Sequence, residues 1–226
     1  MFLSYEGKKS ESDILNCTEK AVFNSLSTTS SFNKLFKGDN LSILKTLLED
    51  CDLRGKVDLI YIDPPFATNG HFKMGAERSN TVSMSNSDDI AYSDILIGGE
   101  FLEFLRERLI FLRELMSDNG SIYLHIDYKI GHYVKIIMDE IFGRKNFRND
   151  ITRIKCNPKN FQRKGYGNIK DLILFYSKSN SPFWNDPTIP FTEEDINKLF
   201  KKIDKSGRRY TTIPLHAPGE TSNGKT

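Results

Sequence analysis

The chain has 226 residues, 38% of them hydrophobic and 27% charged, with a formal net charge of +2. That length supports one large α/β domain or a domain with an appendage, and the composition excludes a chain disordered throughout. No stretch reaches the roughly 18 apolar residues of a membrane span, and the opening "MFLSYEGKKSESD" lacks the apolar core of a secretory leader.

Residues 1–30 are polar, Ser/Thr-rich toward "SLSTTSS" and helical in character from Ile14 to Leu26, and read as an N-terminal extension. In "NKLFKGDN", Leu35 and Phe36 suggest a short strand, after which Asp39 or Asn40 caps a helix whose Leu41, Leu44, Leu47 and Leu48 share a face. Gly55 closes that unit. Val57–Ile62 is so continuously apolar that a central, parallel strand is expected. The stretch from Ala67 to Gly99 shows no sustained periodicity and reads as a long functional or disordered loop. "EFLEFLRERLIFLRELM" is an amphipathic helix with Phe101, Leu105, Leu109, Leu112 and Met116 in one stripe, and Gly120 is expected to stop it. Ser121–Ile126 reads as a buried strand, and a helix over roughly residues 129–142 ends at Gly143. Strands at Asp150–Lys155 and Asp171–Tyr176 flank a basic, Gly-containing segment. The tail from Asn180 is loop with one short helix near Glu193–Lys202. This order predicts a doubly wound sheet closed by an antiparallel strand pair, with ligands at the carboxyl ends of its parallel strands.

At one such end stands "IDPPF". Pro64 and Pro65 fix φ and donate no amide hydrogen, so the Asp63 carboxylate and the carbonyls of Asp63 and Pro64 can form a rigid set of acceptors beside the ring of Phe66. Such a corner suits an exocyclic amine on a flat heterocycle. The acceptors take its hydrogens and favour the pyramidal form with a free lone pair, while the phenyl stacks on the ring. By itself the same triplet also reads as a strand ended by prolines, with Asp63 as a local cap.

Charge is spread unevenly along the chain. Arg144–Lys170 holds nine Lys or Arg against one acid, Asp150, so that window carries +8 and the remainder −6. Arg153, Lys155, Lys159, Arg163 and Lys164 interleave with Phe161 and Tyr166, a mixture that can grip phosphates and stack bases, or simply form a solvated hairpin. Cys17, Cys51 and Cys156 lie far apart with no CxxC. Neither a disulfide framework nor a zinc site is expected, and a reducing cytoplasm fits. His71, His125, His132 and His216 lack metal-ligand spacing, so no metal is expected. His125 and Asp127 could line the mouth of the sheet, but structural roles are preferred for both.

From about Asn33 to Lys178 the chain resembles the permuted β-type DNA adenine-N6 methyltransferases of restriction–modification systems, within the N-4/N-6 DNA methylase family. "LFKGDNLSIL" looks like their motif III, "DLIYIDPPF" their catalytic motif IV and "NGSIYLHID" their motif VI, while "DEIFGRKNFRNDI" and "KDLILFYSK" are similar to the family's segments beyond motif VI. The resemblance implies a partial Rossmann-like methyltransferase sheet with helices on both faces, S-adenosylmethionine as cofactor, and double-stranded DNA as substrate with a flipped adenine. It further implies that Asp63, Pro64, Pro65 and Phe66 form the catalytic corner and that Asp39, with Asp63, faces the cofactor. The family's late "FxGxG" cofactor loop and its strand are not found, and since that strand lies beside the DPPF strand in the complete fold, its absence would leave Val57–Ile62 with an open edge. The expected organisation is therefore an extension over 1–30, a catalytic-motif region over 31–180, and a linker over 181–226 leading toward an absent half. That half could be a C-terminal portion or a second subunit, and the chain is expected to be inactive alone. A restriction endonuclease partner is possible. Cytosine-N4 methylation and a non-catalytic nucleic-acid-binding remnant are the alternative readings.

Overall fold

The computed structural model describes residues 2–24, 33–65, 98–155 and 169–213 in full, and 71–74 and 89–93 as backbone. Residues 1–183 and 184–226 are separate compact units. The first contains α1 (Glu11–Cys17), α2 (Asn40–Glu49), β1 (Val57–Ile62), β2 (His71–Met74), β3 (Asp89–Ser93), α3 (Gly99–Leu115), β4 (Met116–Asp127), α4 (Gly131–Met138), β5 (Phe147–Ile154) and β6 (Lys170–Ser177). The second contains α5 (Glu193–Leu199) and the short pair β7 (Lys202–Ile203) and β8 (Arg209–Tyr210).

The main sheet has the order β1-β4-β6-β5, with β1 parallel to β4 and the other two ladders antiparallel. Alternation along the strands sends Ile60, Ile122, Leu124, Ile126, Leu172, Leu174 and Tyr176 into one core with the apolar stripes of α1–α4. In α3 that stripe is Phe101, Leu105, Leu109 and Leu115, all nearly or fully buried. Among the described residues this helical cover lies on one face, whereas cover on both was expected. On the other face Leu59 and Tyr61 are exposed, while Tyr123 stacks on Phe175 with ring centroids 4.4 Å apart.

Several expectations change. Leu35 and Phe36 form no strand and Leu35 is exposed; no described strand lies alongside them, and an unpaired strand has nothing to satisfy its backbone groups. β1 is parallel as expected; the apolar run reads as a central strand, but β1 is an edge of the described sheet, as expected where the glycine-loop strand is missing, with Ile60 its single buried residue. Within the expected irregular stretch, β2 and β3 form an antiparallel pair whose four and five residues are too short to register as periodicity. α3 ends at Leu115, because Met116 already adopts an extended conformation (φ −63°, ψ 139°) and opens β4.

Gly120 therefore has a different task from stopping a helix. The β1–β4 register jumps from Val57 opposite Met116 to Leu59 opposite Ser121, so β4 bulges where β1 begins. A β-carbon at Gly120 would sit 2.9 Å from the carbonyl oxygens of both Ser117 and Val57. α4 runs on through a π turn over Asp139–Gly143 and a 3-10 turn over Arg144–Asn146; Gly143 takes φ +85°, as its predicted stop position requires.

The first residues are tied to α3 and its neighbours. The Tyr5 hydroxyl donates to Glu103 at 2.6 Å, Lys8 pairs with Glu140 at 2.7 Å, and Ile14 is buried in the core. The cap of α2 is Asp39, whose Oδ2 accepts from the Ser42 amide at 3.0 Å and the Ser42 hydroxyl at 3.1 Å, while Arg108 Nη2 lies 3.2 Å from Oδ1. Partial burial works against the Asp39 charge, but the Ser42 hydrogen bonds and Arg108 outweigh it and hold the carboxyl below its usual range.

These contacts set two stability outcomes. Gly120→Ala should cost roughly 1–3 kcal/mol in a denaturant titration, because rigid carbonyls cannot yield to the new methyl. Asp39→Ala should cost about 1 kcal/mol at neutral pH. Since the folded pKa of Asp39 lies below its unfolded one, the contribution is present above about pH 4 and is lost as pH falls through the folded value; the wild-type and Asp39→Ala unfolding curves should converge in acid.

Candidate active site

The register of the sheet decides which side chains meet at its mouth. Ile62 is opposite Leu124, so the next residue of each strand, Asp63 and His125, are neighbours on the face away from the helices. Asp127 is opposite Asp171, and Asp171 is opposite Arg153 in the outer ladder. Alternation adds Lys155 to that face. Four strands thus deliver Asp63, His125, Asp127, Asp171, Arg153 and Lys155 to one end of one face.

These groups are in contact. His125 Nδ1 lies 3.0 Å from Asp63 Oδ1, and its Nε2 lies 3.3 Å from Asp171 Oδ2. Arg153 Nη1 reaches the same Asp171 oxygen at 3.3 Å, Lys155 Nζ pairs with Asp171 Oδ1, and Lys155 lies 3.9 Å from Asp127 Oδ2. Asp127 Oδ1 also accepts from the Lys129 amide at 2.7 Å, which fixes the turn into α4. Burial is graded: the side chain of Asp171 is 1% exposed, that of His125 9%, and that of Asp63 57%. The arrangement is a carboxylate open to solvent, backed by an imidazole, backed in turn by a buried carboxylate with two cations. The His125 contacts are ion-pair contacts, while Arg153 Nη1 donates a hydrogen bond to Asp171; among the described residues no group of His, Cys, Asp and Glu is placed to hold a metal ion.

The predicted site residues divide accordingly. Asp63, Pro64 and Pro65 come directly after β1, the prolines half-buried; Phe66 lies outside the described residues. Asp39 is spent largely as a helix cap and on Arg108, although its side chain is still 57% exposed. Arg153 and Lys155 reach the mouth of the sheet, where Asp171 engages both. Lys159, Arg163 and Lys164 lie outside the described residues. Sequence reasoning placed His125 and Asp127 near the mouth and missed Asp171. The available signal was an acid opening the otherwise apolar run "DLILFYS", where a buried strand would normally carry none. Cys17 and Cys51 are exposed free thiols.

Residues 57–224 match the family model described as DNA methylase. The type II methyltransferase M.EcaI of Enterobacter cloacae is 37% identical over 223 residues, 96% of this chain and 46% of that protein. The probable type III restriction-modification enzyme HindVI Mod subunit of Haemophilus influenzae is 30% identical over 190 residues, covering 82% of this chain and 23% of that protein. The chain thus spans about half, or less, of the length of these curated relatives. A crystal structure of an M1.HpyAVI–SAM complex aligns over 70% of this chain and 60% of that one, with 17% identity and a TM-score of 0.43. The family match covers most of the chain and includes every residue of the mouth just described, and on that ground the chain belongs to the N6/N4 DNA methylase family.

Proposed function

We propose that this chain carries the amine-presenting part of a DNA adenine-N6 methyltransferase of a restriction–modification system. The observation that supports this most is the placement of Asp63: at the carboxyl end of a parallel strand, open to solvent, held from behind by His125 and succeeded at once by two prolines. An aspartate here, rather than the serine more usual in cytosine-N4 enzymes, favours adenine.

The chemistry of the corner comes from its acceptors. An exocyclic amine is a weak nucleophile because its lone pair is delocalised into the ring. Hydrogen bonds from its two protons to the Asp63 carboxylate and the Pro64 carbonyl favour the pyramidal nitrogen. As the amine is alkylated it gains positive charge that the adjacent carboxylate stabilises; the donor's methyl–sulfur bond would break to leave a neutral thioether, and one N–H proton would pass by way of Asp63 to solvent. The adenine reaches this corner by leaving the duplex stack, and Phe66 receives its flat face.

S-adenosylmethionine, when bound, supplies an electrophilic methyl on a cationic sulfonium. The donor set present is compatible with it: Asp39 and Asp63 are carboxylates with more than half of each side chain exposed, able to accept from hydroxyl and amine hydrogens. Asp39 must do so while remaining the cap of α2.

DNA is gripped by the basic segment after β5. Because Asp171 engages Arg153 and Lys155, phosphate contact rests chiefly on Lys159, Arg163 and Lys164. A restriction endonuclease sharing the recognition site is the proposed partner, with the cytoplasm as the compartment. No described helix is long and apolar enough to cross a membrane.

Two measurements check this reading. In the methylating protein, Asp63→Ala should lower transfer of a labelled methyl to DNA by at least about 100-fold while DNA binding persists, the scale seen when one stabilising group for developing charge is removed. Near-normal turnover would place the amine elsewhere. Replacing Lys159, Arg163 and Lys164 together by alanine should weaken binding to all DNA sequences alike and flatten the log–log salt dependence by roughly 0.9 for each phosphate no longer neutralised. An unchanged slope in a fluorescence titration would show that this segment faces away from DNA.

A further inference from the structure

Asp63 sits beyond the last residue of β1, more than half exposed, ahead of a backbone that cannot donate hydrogen bonds. Alone, a carboxylate in that position samples several rotamers, and a site that presents an acceptor to an amine within a few tenths of an ångström needs it fixed. The imidazole of His125 supplies a fixed contact. Its Nδ1 lies 3.0 Å from Asp63 Oδ1, leaving the second carboxylate oxygen for a substrate proton. The ring itself is clamped. It comes from the middle of a four-stranded sheet, is 9% exposed, and has Nε2 against the buried Asp171. Asp171 in turn is held by Arg153 and Lys155.

We propose that His125, oriented by Asp171, is a positioning residue that fixes the Asp63 carboxylate for the amine; this rests on the assignment of Asp63 above. A ring in contact with one group at one nitrogen is oriented by the group its other nitrogen contacts, which is the relation Asp171 has to Asp63 through the ring. A role limited to filling space does not account for two carboxylates set on the two ring nitrogens. Among the described residues, the charged groups at this end of the face are Asp63 from the end of β1, Asp127 from the strand of His125, Asp171 from β6, and Arg153 and Lys155 from β5 and its end. The two cations offset much of the negative charge, so His125 can hold Asp63 without two carboxylates facing each other uncompensated.

The test has one arm independent of turnover. In the nitrogen-labelled chain, Asp63→Ala should shift the Nδ1 ring resonance of His125, because it removes the charge 3.0 Å away. That substitution is at an exposed position and leaves the fold intact. Identical His125 ring resonances in the wild type and Asp63→Ala would overturn the proposal. In the methylating protein, His125→Ala and His125→Leu should lower kcat by about 10- to 100-fold, with the KM for DNA and for the methyl donor little changed. His125→Asn, whose amide nitrogen stands close to the position of Nδ1, should recover most of kcat, which a purely space-filling residue would not predict. If Asp63→Ala is inactive while His125→Leu keeps full kcat, the positioning role alone fails. If Asp63→Ala is itself active, the assignment of Asp63 fails.

Discussion

The parallel pairing of β1 with β4 carries the rest of the architecture, because a strand has only two faces and the register allots them. With Ile62 opposite Leu124, the apolar residues of both strands enter the helical core and Asp63 meets His125 on the reverse side. A slip of one residue would exchange the two sets, sending a carboxylate toward the core and isoleucines to solvent. Gly120 makes this registration possible by letting β4 bulge against the start of β1, where the approach of two carbonyl oxygens leaves no room for a side chain. The place of Asp63 is thus specified partly by a glycine at the opposite end of the same ladder.

Buried charge at the mouth of the sheet needs a reason, since desolvating an isolated carboxylate costs several kcal/mol even after relaxation. Asp171 avoids isolation by three contacts, to His125, Arg153 and Lys155, and its cations keep part of their surface in water. Removing any one of the three leaves the others holding a charge that the interior cannot solvate. The cluster therefore behaves as a unit, a set of buried atoms behind a carboxylate that is itself exposed.

Local pattern made much of this legible. The stripe of α3, the stop at Gly143, the strand pair at the end of the sheet and the corner at Asp63 are each written in short, continuous stretches of sequence. What the pattern could not supply was partnership. Leu35–Phe36 has strand composition but no described neighbour; β1 has the apolar run of a central strand, and its edge position follows only from the missing glycine-loop strand. The limit of α3 at Leu115 was hidden because Met116 continues the helical stripe while its backbone has turned extended. Asp171 escaped notice for a related reason: its meaning depends on His125, two strands of sequence away, and on a register that only the assembled sheet reveals.

The N-terminal residues show how far such partnership reaches. Tyr5 and Lys8 bond to Glu103 and Glu140, 98 and 132 positions later in the chain. Closing loops of that size is entropically costly, and the cost is offset only by what waits at the far end. Ile14 adds its side chain to the core, Tyr5 fastens the segment to α3 and Lys8 to the π turn. One short segment thus straps together two elements that the sequence sets far apart, as a clasp joins the ends of a band.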